Sequence, residues 1–159
     1  AASVGARVEG HLQALFQGEL SVEEKARLLF MYEEEKMARD VYLSFYHLWG
    51  ARIFANIAAS EQRHMDAVET LLDAYAVPDP GFSEENGVFH DAELQKLYDD
   101  LVGQGSGSLW AARDVGRLIE EADIEDLEQA IARSDNADID QVYSNLLRGS
   151  QNHLRAFSR

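Results

Sequence analysis

Glu61 and His64 stand three residues apart in the run Ile57-Ala-Ala-Ser-Glu-Gln-Arg-His-Met65. On a helix this spacing stacks a carboxylate and an imidazole on one face. Such a pair can ligate a transition metal or relay a proton. In the same arc lie Phe54, Ile57, Met65, Val68 and Leu72. Three other stretches set metal-capable side chains among apolar ones. Glu35 shares the period of Leu28, Met31, Ala38 and Tyr42; Glu120 and Asp123 share that of Leu109, Ala112, Gly116, Ile119 and Leu127; His153 and Ser150 share that of Val142, Leu146 and Phe157. At about 100° per residue each falls within the apolar arc of a helical wheel, whereas Glu33, Glu34, Gln62, Arg63, Glu121 and Glu125 fall outside it.

A single inward Glu is commonly a boundary residue reaching for water, and a single inward His a hydrogen-bonded core residue. Several together change the argument. Burying an isolated carboxylate costs several kcal/mol, so three or four in one small core require positive charge. Arg39, near the edge of the inward arc, is one source of it, and a bound cation is the other. Oxygen and imidazole donors without sulfur suit iron, manganese or zinc. The chain has no Cys, which excludes disulfides and thiolate-held metal.

Four long helical segments have to position these groups. The first runs over 21–49, with Ser21 and Glu24 spaced as a capping box and Gly50 as its stop. The second covers 53–75 and ends before Pro78 and Pro80. A turn this short makes the pair antiparallel. Residues 77–107 form a long connection with a short helix over 92–101, between GFSEENG and GQGSGS. The third helix is expected over 108–133 and the fourth over 138–157, joined by a short linker. Two antiparallel hairpins joined by one long crossover is the connectivity of ferritin-like bundles. The expected fold is therefore an all-α four-helix bundle over 21–157, with 1–20 as an N-terminal extension.

The 159 residues suffice for one domain with a substantial core. With 29 acidic and 14 basic residues, the net charge of -15 repels nucleic acid and anionic lipid and attracts cations. No apolar run approaches the roughly 20 residues that span a bilayer, so a soluble protein is expected. The chain begins at Ala1 rather than Met. That start is consistent with a removed leader or tag, and it leaves cytoplasmic and exported locations open.

The motifs also resemble a known family. Glu35-Lys-Met-Ala-Arg-Asp-Val-Tyr42 resembles the first-helix signature of rubrerythrin-type ferritin-like proteins, and 57–65 resembles their second-helix signature ending in Glu-x-x-His. Gly116 to Ile124 and Asn145 to Phe157 are similar to segments of an uncharacterised ferritin-like domain family of bacteria and archaea. The resemblance implies a dinuclear metal site with Glu35, Glu61, His64, Glu120 and His153 as ligands and two iron ions as its metal, manganese or zinc being alternatives. It implies ferroxidase or peroxide-reducing activity, with dioxygen or peroxide as co-substrate. Without Cys to hold a second iron centre, turnover would draw on an external electron donor. Tyr42, on the same face as Glu35, would either hydrogen-bond a ligand carboxylate or serve as an ordinary core aromatic.

One position departs from the pattern: Ser150 stands where the fourth helix of the family carries a Glu. Asp123 or water could fill that place, and the second ion is expected to bind more weakly. Two other classes compete, a non-catalytic metal-binding or sequestration bundle and a bundle whose acidic surface recruits a partner. Tyr32, His47, His11 and His90 are expected to lie away from the site, and the protein to be a monomer or homodimer.

Overall fold

The Ser21 hydroxyl starts the first helix, α1 (Val22–Trp49), by accepting the Glu24 N–H at 3.1 Å. The capping box is half formed, because Glu24 Oε1 accepts from Asp135 N instead of reaching back to Ser21. Gly50 ends α1 at φ 66, a left-handed conformation that glycine adopts without a Cβ penalty, and its N–H bonds the Tyr46 carbonyl at 2.8 Å. The turn at Gly50 and Ala51 folds α2 (Arg52–Ala74) back along α1.

The crossover carries α3 (Ala92–Gly105), capped by Asp91. Ser108, whose hydroxyl accepts the Ala111 N–H, starts α4 (Leu109–Arg133), and α5 (Ala137–Phe157) follows after a short linker. The computed structural model describes residues 19–159. Among them the chain is all-α, with five helices and no strand. The expected N-terminal extension, His11 included, lies outside the described residues except for Glu19 and Leu20. Leu20 is buried in the core, so the packed unit begins slightly before residue 21.

α1 packs along α2 and α4 along α5, while α1 meets α4 and α2 meets α5, so the four long helices share one interior. Two apolar clusters fill it. Tyr42, Phe45, Phe54, Ile119 and Phe157 lie toward one end, and Leu28, Val68, Leu127 and Leu146 toward the other. Burying each large side chain contributes about 1.5–3 kcal/mol. Between the clusters, at the register of Glu35, Glu61, Glu120 and His153, the interior is polar.

The crossover corrects the wheel on α1. Glu33 and Glu34 fall outside the apolar arc, yet both are buried. Glu33 accepts the His90 and Asp91 N–H groups at 2.6 and 2.8 Å. Lys36, also buried, donates to Asp40 at 2.9 Å and to the carbonyls of Glu85 and Val88 at 2.8 and 2.9 Å, and lies over the Phe89 ring. The crossover thus covers a face that a two-sided amphipathic helix would leave to water. α3 also runs four residues past the expected 101, because Gly105 packs where a Cβ would meet the Phe45 ring, and its carbonyl accepts the Trp49 indole N–H at 3.1 Å.

Candidate metal centre

Four helices each turn a side chain into the polar layer. Glu35 comes from α1, Glu61 and His64 from α2, Glu120 and Asp123 from α4, and Ser150 and His153 from α5. Glu35, Glu61, Glu120 and Ser150 are wholly buried. The i, i+3 spacings place Glu61 with His64 and Glu120 with Asp123 on single faces, as the helix period demands.

The geometry is a double one centred on Glu61. Its Oε2 lies 3.1 Å from His64 Nδ1, which also lies 3.2 Å from Glu35 Oε2. Its Oε1 lies 3.0 Å from His153 Nδ1, which also lies 3.2 Å from Glu120 Oε1. Two groups of three potential donors result, Glu35 with Glu61 and His64, and Glu61 with Glu120 and His153. Glu61 belongs to both and offers one oxygen to each. The two imidazole rings stack 5.7 Å apart.

Neighbouring groups orient these side chains. The Tyr42 hydroxyl donates to Glu120 Oε1 at 2.8 Å. His153 Nε2 lies 2.9 Å from Ser60 Oγ; with the proton on Nε2, the Nδ1 lone pair points at Glu61 and Glu120. Ser150 Oγ donates to Asp123 Oδ2 at 2.6 Å. Ser150 is therefore the hydrogen-bond donor to a carboxylate supplied by α4. Asp123 pushes the carboxyl of Glu35 up, and Glu120 in turn pushes up that of Asp123, so Asp123 is coupled to both.

Electrostatically the layer is short of positive charge. Burial pushes the carboxyl of Glu35 well above the usual range, and Asp123 and Glu61 push it further. Glu61 is raised by burial and then by Glu120, and Asp123 likewise by burial and by Glu120. Burial, followed by the Glu120 charge, also raises the Tyr42 phenol and keeps it a donor. Arg39 supplies no neutralising charge here, since it binds Asp40 Oδ1 at 2.9 Å and the Gln62 side chain. Lys36 is held at the crossover.

Four buried oxygens in this layer have no hydrogen-bond donor among the described residues: Glu35 Oε1, Glu61 Oε1, Glu120 Oε2 and Asp123 Oδ1. Glu61 Oε1 is close to His153 without the alignment of a hydrogen bond. Each such oxygen costs about 1–3 kcal/mol. Carboxylate oxygens and imidazole nitrogens that converge without their own counter-charge suit a divalent cation of the iron, manganese or zinc type.

Away from the layer, Tyr32 stacks on Phe82, and His47 and His90 are exposed. Wheel reasoning passed over Ser60 and Gly149. A Cβ on Gly149 would lie 2.6 Å from His64 Nε2, so the glycine makes the space the ring occupies. A small residue gives no hydrophobic period, and no sequence signal pointed to either.

A model of an uncharacterised protein domain, DUF2202, matches residues 24–159. Uncharacterized protein MJ0754 of Methanocaldococcus jannaschii is 50% identical over 149 residues, covering 94% of this chain and 80% of the relative. The crystal structure of hypothetical protein MJ0754 from Methanococcus jannaschii DSM 2661 superposes with a TM-score of 0.86 at 51% identity, covering 88% of this chain and 80% of that one.

Proposed function

The chain belongs to the DUF2202 family of uncharacterised protein domains, and we propose that it is a ferritin-like metal-binding protein whose polar layer holds two divalent cations, iron by preference. The observation that carries this reading is Glu61, whose two oxygens each face a different His and carboxylate pair. A bridging carboxylate has that arrangement. The charge balance agrees, since two divalent cations offset the four buried carboxylates Glu35, Glu61, Glu120 and Asp123 with no Lys or Arg among the converging groups.

In this reading the ligands are Glu35, Glu61, His64, Glu120 and His153, with Asp123, held by Ser150, as a supplementary carboxylate. Paired iron supplies one-electron steps at each ion, which suits oxidation of ferrous iron or reduction of peroxide. The chain's residues prepare the place. Ser60 holds the His153 ring at Nε2, Tyr42 holds Glu120, and Phe54 and Phe157, both packed on Tyr42, keep water from that side. With no Cys in the chain, electrons for repeated turnover come from an external donor.

Ser150 favours a second reading, metal binding or sequestration without turnover, because it gives α5 a hydroxyl where the resembling family has a carboxylate. One experiment separates the two. The purified chain is analysed for metal, loaded anaerobically with ferrous ion, and then mixed with air or peroxide while absorbance is followed. Two equivalents with rapid oxidation support the redox reading, and binding without accelerated oxidation supports sequestration. Absence of bound metal in wild type, or equal binding by Glu61→Gln, overturns both.

A further inference from the structure

The polar layer presents a different charge to each side of the bundle. Residues 141–159, most of α5, hold no Asp or Glu, although the chain carries a net charge of -15. Arg148 and Arg155 stand exposed there, and Arg63 is exposed on α2. None of the three has a carboxylate partner among the described residues, since the ion pairs involve Lys36, Arg39, Arg117 and the two histidines. Beneath this face lie His64 and His153, whose side chains are 12% and 9% exposed. A cation nearing the imidazole edges therefore meets positive charge first. Between α1 and α4 the sign reverses. Asp126, Glu34 and Asp123 come together there, and burial deepens along them: Asp126 is half-buried, Glu34 is 7% and Asp123 3% exposed, and Glu35 and Glu120 beyond are wholly buried. Burial pushes the Glu34 carboxyl well above the usual range, and Asp123 and Asp126 beside it push it further. Asp123 in turn adjoins Glu34, Ser150 and Glu35. Outside, α4 exposes Glu121, Glu125 and Glu128, against Arg27 and Arg133 at the next hollow along the helix pair.

We propose that Asp126, Glu34 and Asp123 form the route by which divalent cations enter and leave the polar layer, each carboxylate handing the ion to the next. The inference rests on the metal-site reading and adds how that site is filled. A carboxylate kept for structure has donors, as Glu33 has in the His90 and Asp91 N–H groups. Its neighbour Glu34 is different: Glu34 Oε1, like Asp123 Oδ1, is buried with no donor among the described residues. Leaving such an acceptor bare is costly, so the pair needs a reason beyond packing. An ion crossing an apolar wall would shed its water with nothing in exchange. Carboxylate oxygens in series replace that water at each stage. A cleft lined by one sign of charge also concentrates its counter-ions and raises association rates by about 10- to 1000-fold. Ser150 takes part by holding Asp123 Oδ2, which leaves Oδ1 as the unpaired oxygen nearest the ligands on this route.

The test is the rate of metal exchange in the full chain, followed by stopped-flow absorbance of cobaltous ion during uptake by chelated protein and again during release into excess chelator. Asp126→Asn and Glu34→Gln are expected to slow uptake about tenfold. Both should slow release as well, since a route is used in both directions. A residue that only strengthens the site gives the opposite sign, because its loss weakens binding and speeds release. Glu34→Asp keeps the charge and should recover most of the lost rate. Asp126 is half-buried on α4, so Asp126→Asn decides the matter should Glu34→Gln fold poorly. Arg148→Glu combined with Arg155→Glu brings acid to the face between α2 and α5 and should leave both rates unchanged. Faster release from Asp126→Asn and Glu34→Gln would overturn the route, as would faster uptake by the double arginine variant, which would place the entry beside His64. Wild-type protein that takes up no cobalt would sink the metal reading itself; cobalt bound by Asp126→Asn and Glu34→Gln at wild-type rates would sink only the route.

Discussion

Gly149→Ala separates the stability of the helices from the geometry of the proposed metal site. The added Cβ would lie 2.6 Å from His64 Nε2 and 2.7 Å from Cε1, whereas ordinary contact begins at 3.4 Å. The ring therefore has to retreat by roughly 0.8 Å, on the order of four times the ±0.2 Å over which metal–ligand distances hold. Displacing a ligand this way should cost the His64 side about 10- to 100-fold in affinity, or about 1.4–2.7 kcal/mol. Replacing a helical glycine with alanine works in the opposite direction on the metal-free fold, adding about 0.5–1 kcal/mol. The expected result is a variant that melts no lower than wild type after chelation, loses most of the stabilisation that metal confers, and binds one equivalent much more weakly in calorimetric titration. If the variant binds two equivalents with wild-type affinities, His64 is not a ligand in the orientation described. A variant that melts far below wild type without metal would show instead that the ring is structural.

Chelation should lower the melting temperature of the wild type. Metal bound only to the native state contributes about 2.7 kcal/mol per site at about a hundredfold excess over Kd, and with roughly 2–4 °C per kcal/mol for a chain of this size the shift should exceed about 5 °C by scanning calorimetry. In metal-free protein, stability should fall as pH rises from about 4 toward neutrality. The folded carboxyls of Glu34, Glu35 and Glu61 are raised above their unfolded values, so the unfolded chain ionises first while the fold retains protons. Below both values the penalty vanishes. A urea midpoint higher near pH 5 than near pH 7.5 is expected after chelation, with the opposite trend in loaded protein, and a flat chelated profile would refute the uncompensated charge. Lys36→Met should lower stability by about 3–5 kcal/mol, the usual cost of leaving one partner of a buried ion pair alone. Limited proteolysis should then cut near residues 85–88, whose carbonyls Lys36 holds; resistance equal to wild type would show that the crossover is secured elsewhere.

Sequence reasoning reached far for the helices and the polar layer, and it failed where contact comes from another part of the chain. Ser21, Gly50 and Ser108 carry local signals, because caps and left-handed turns depend on a few adjacent atoms. The inward settings of Glu35, Glu61, His64, Glu120, Asp123 and His153 followed from the helix period, and the structure brings those side chains together. Glu33, Lys36 and Asp40 were not legible, since a wheel assigns a helix one dry face and cannot foresee a crossover settling on the other. On α5 the wheel chose Val142, whereas its neighbour Tyr143 is the buried one. The Ser150 to Asp123 bond was also hidden. A vacancy inferred by comparison says what is missing from one helix, and only the packing of α4 against α5 shows which side chain the hydroxyl serves.

Residues 33–38 of α1 are six buried positions in succession, so for more than a full turn no face of that helix meets water. A helix at the surface of a bundle can fray outward and let solvent reach its amides while the rest of the domain stays intact. The middle of α1 has no such direction to move in, because α2 and α4 hold it on one side and the crossover on the other. Its amide hydrogens should therefore exchange with deuterium only when the whole domain opens, making this stretch the slowest-exchanging unit of the molecule and a direct readout of global stability.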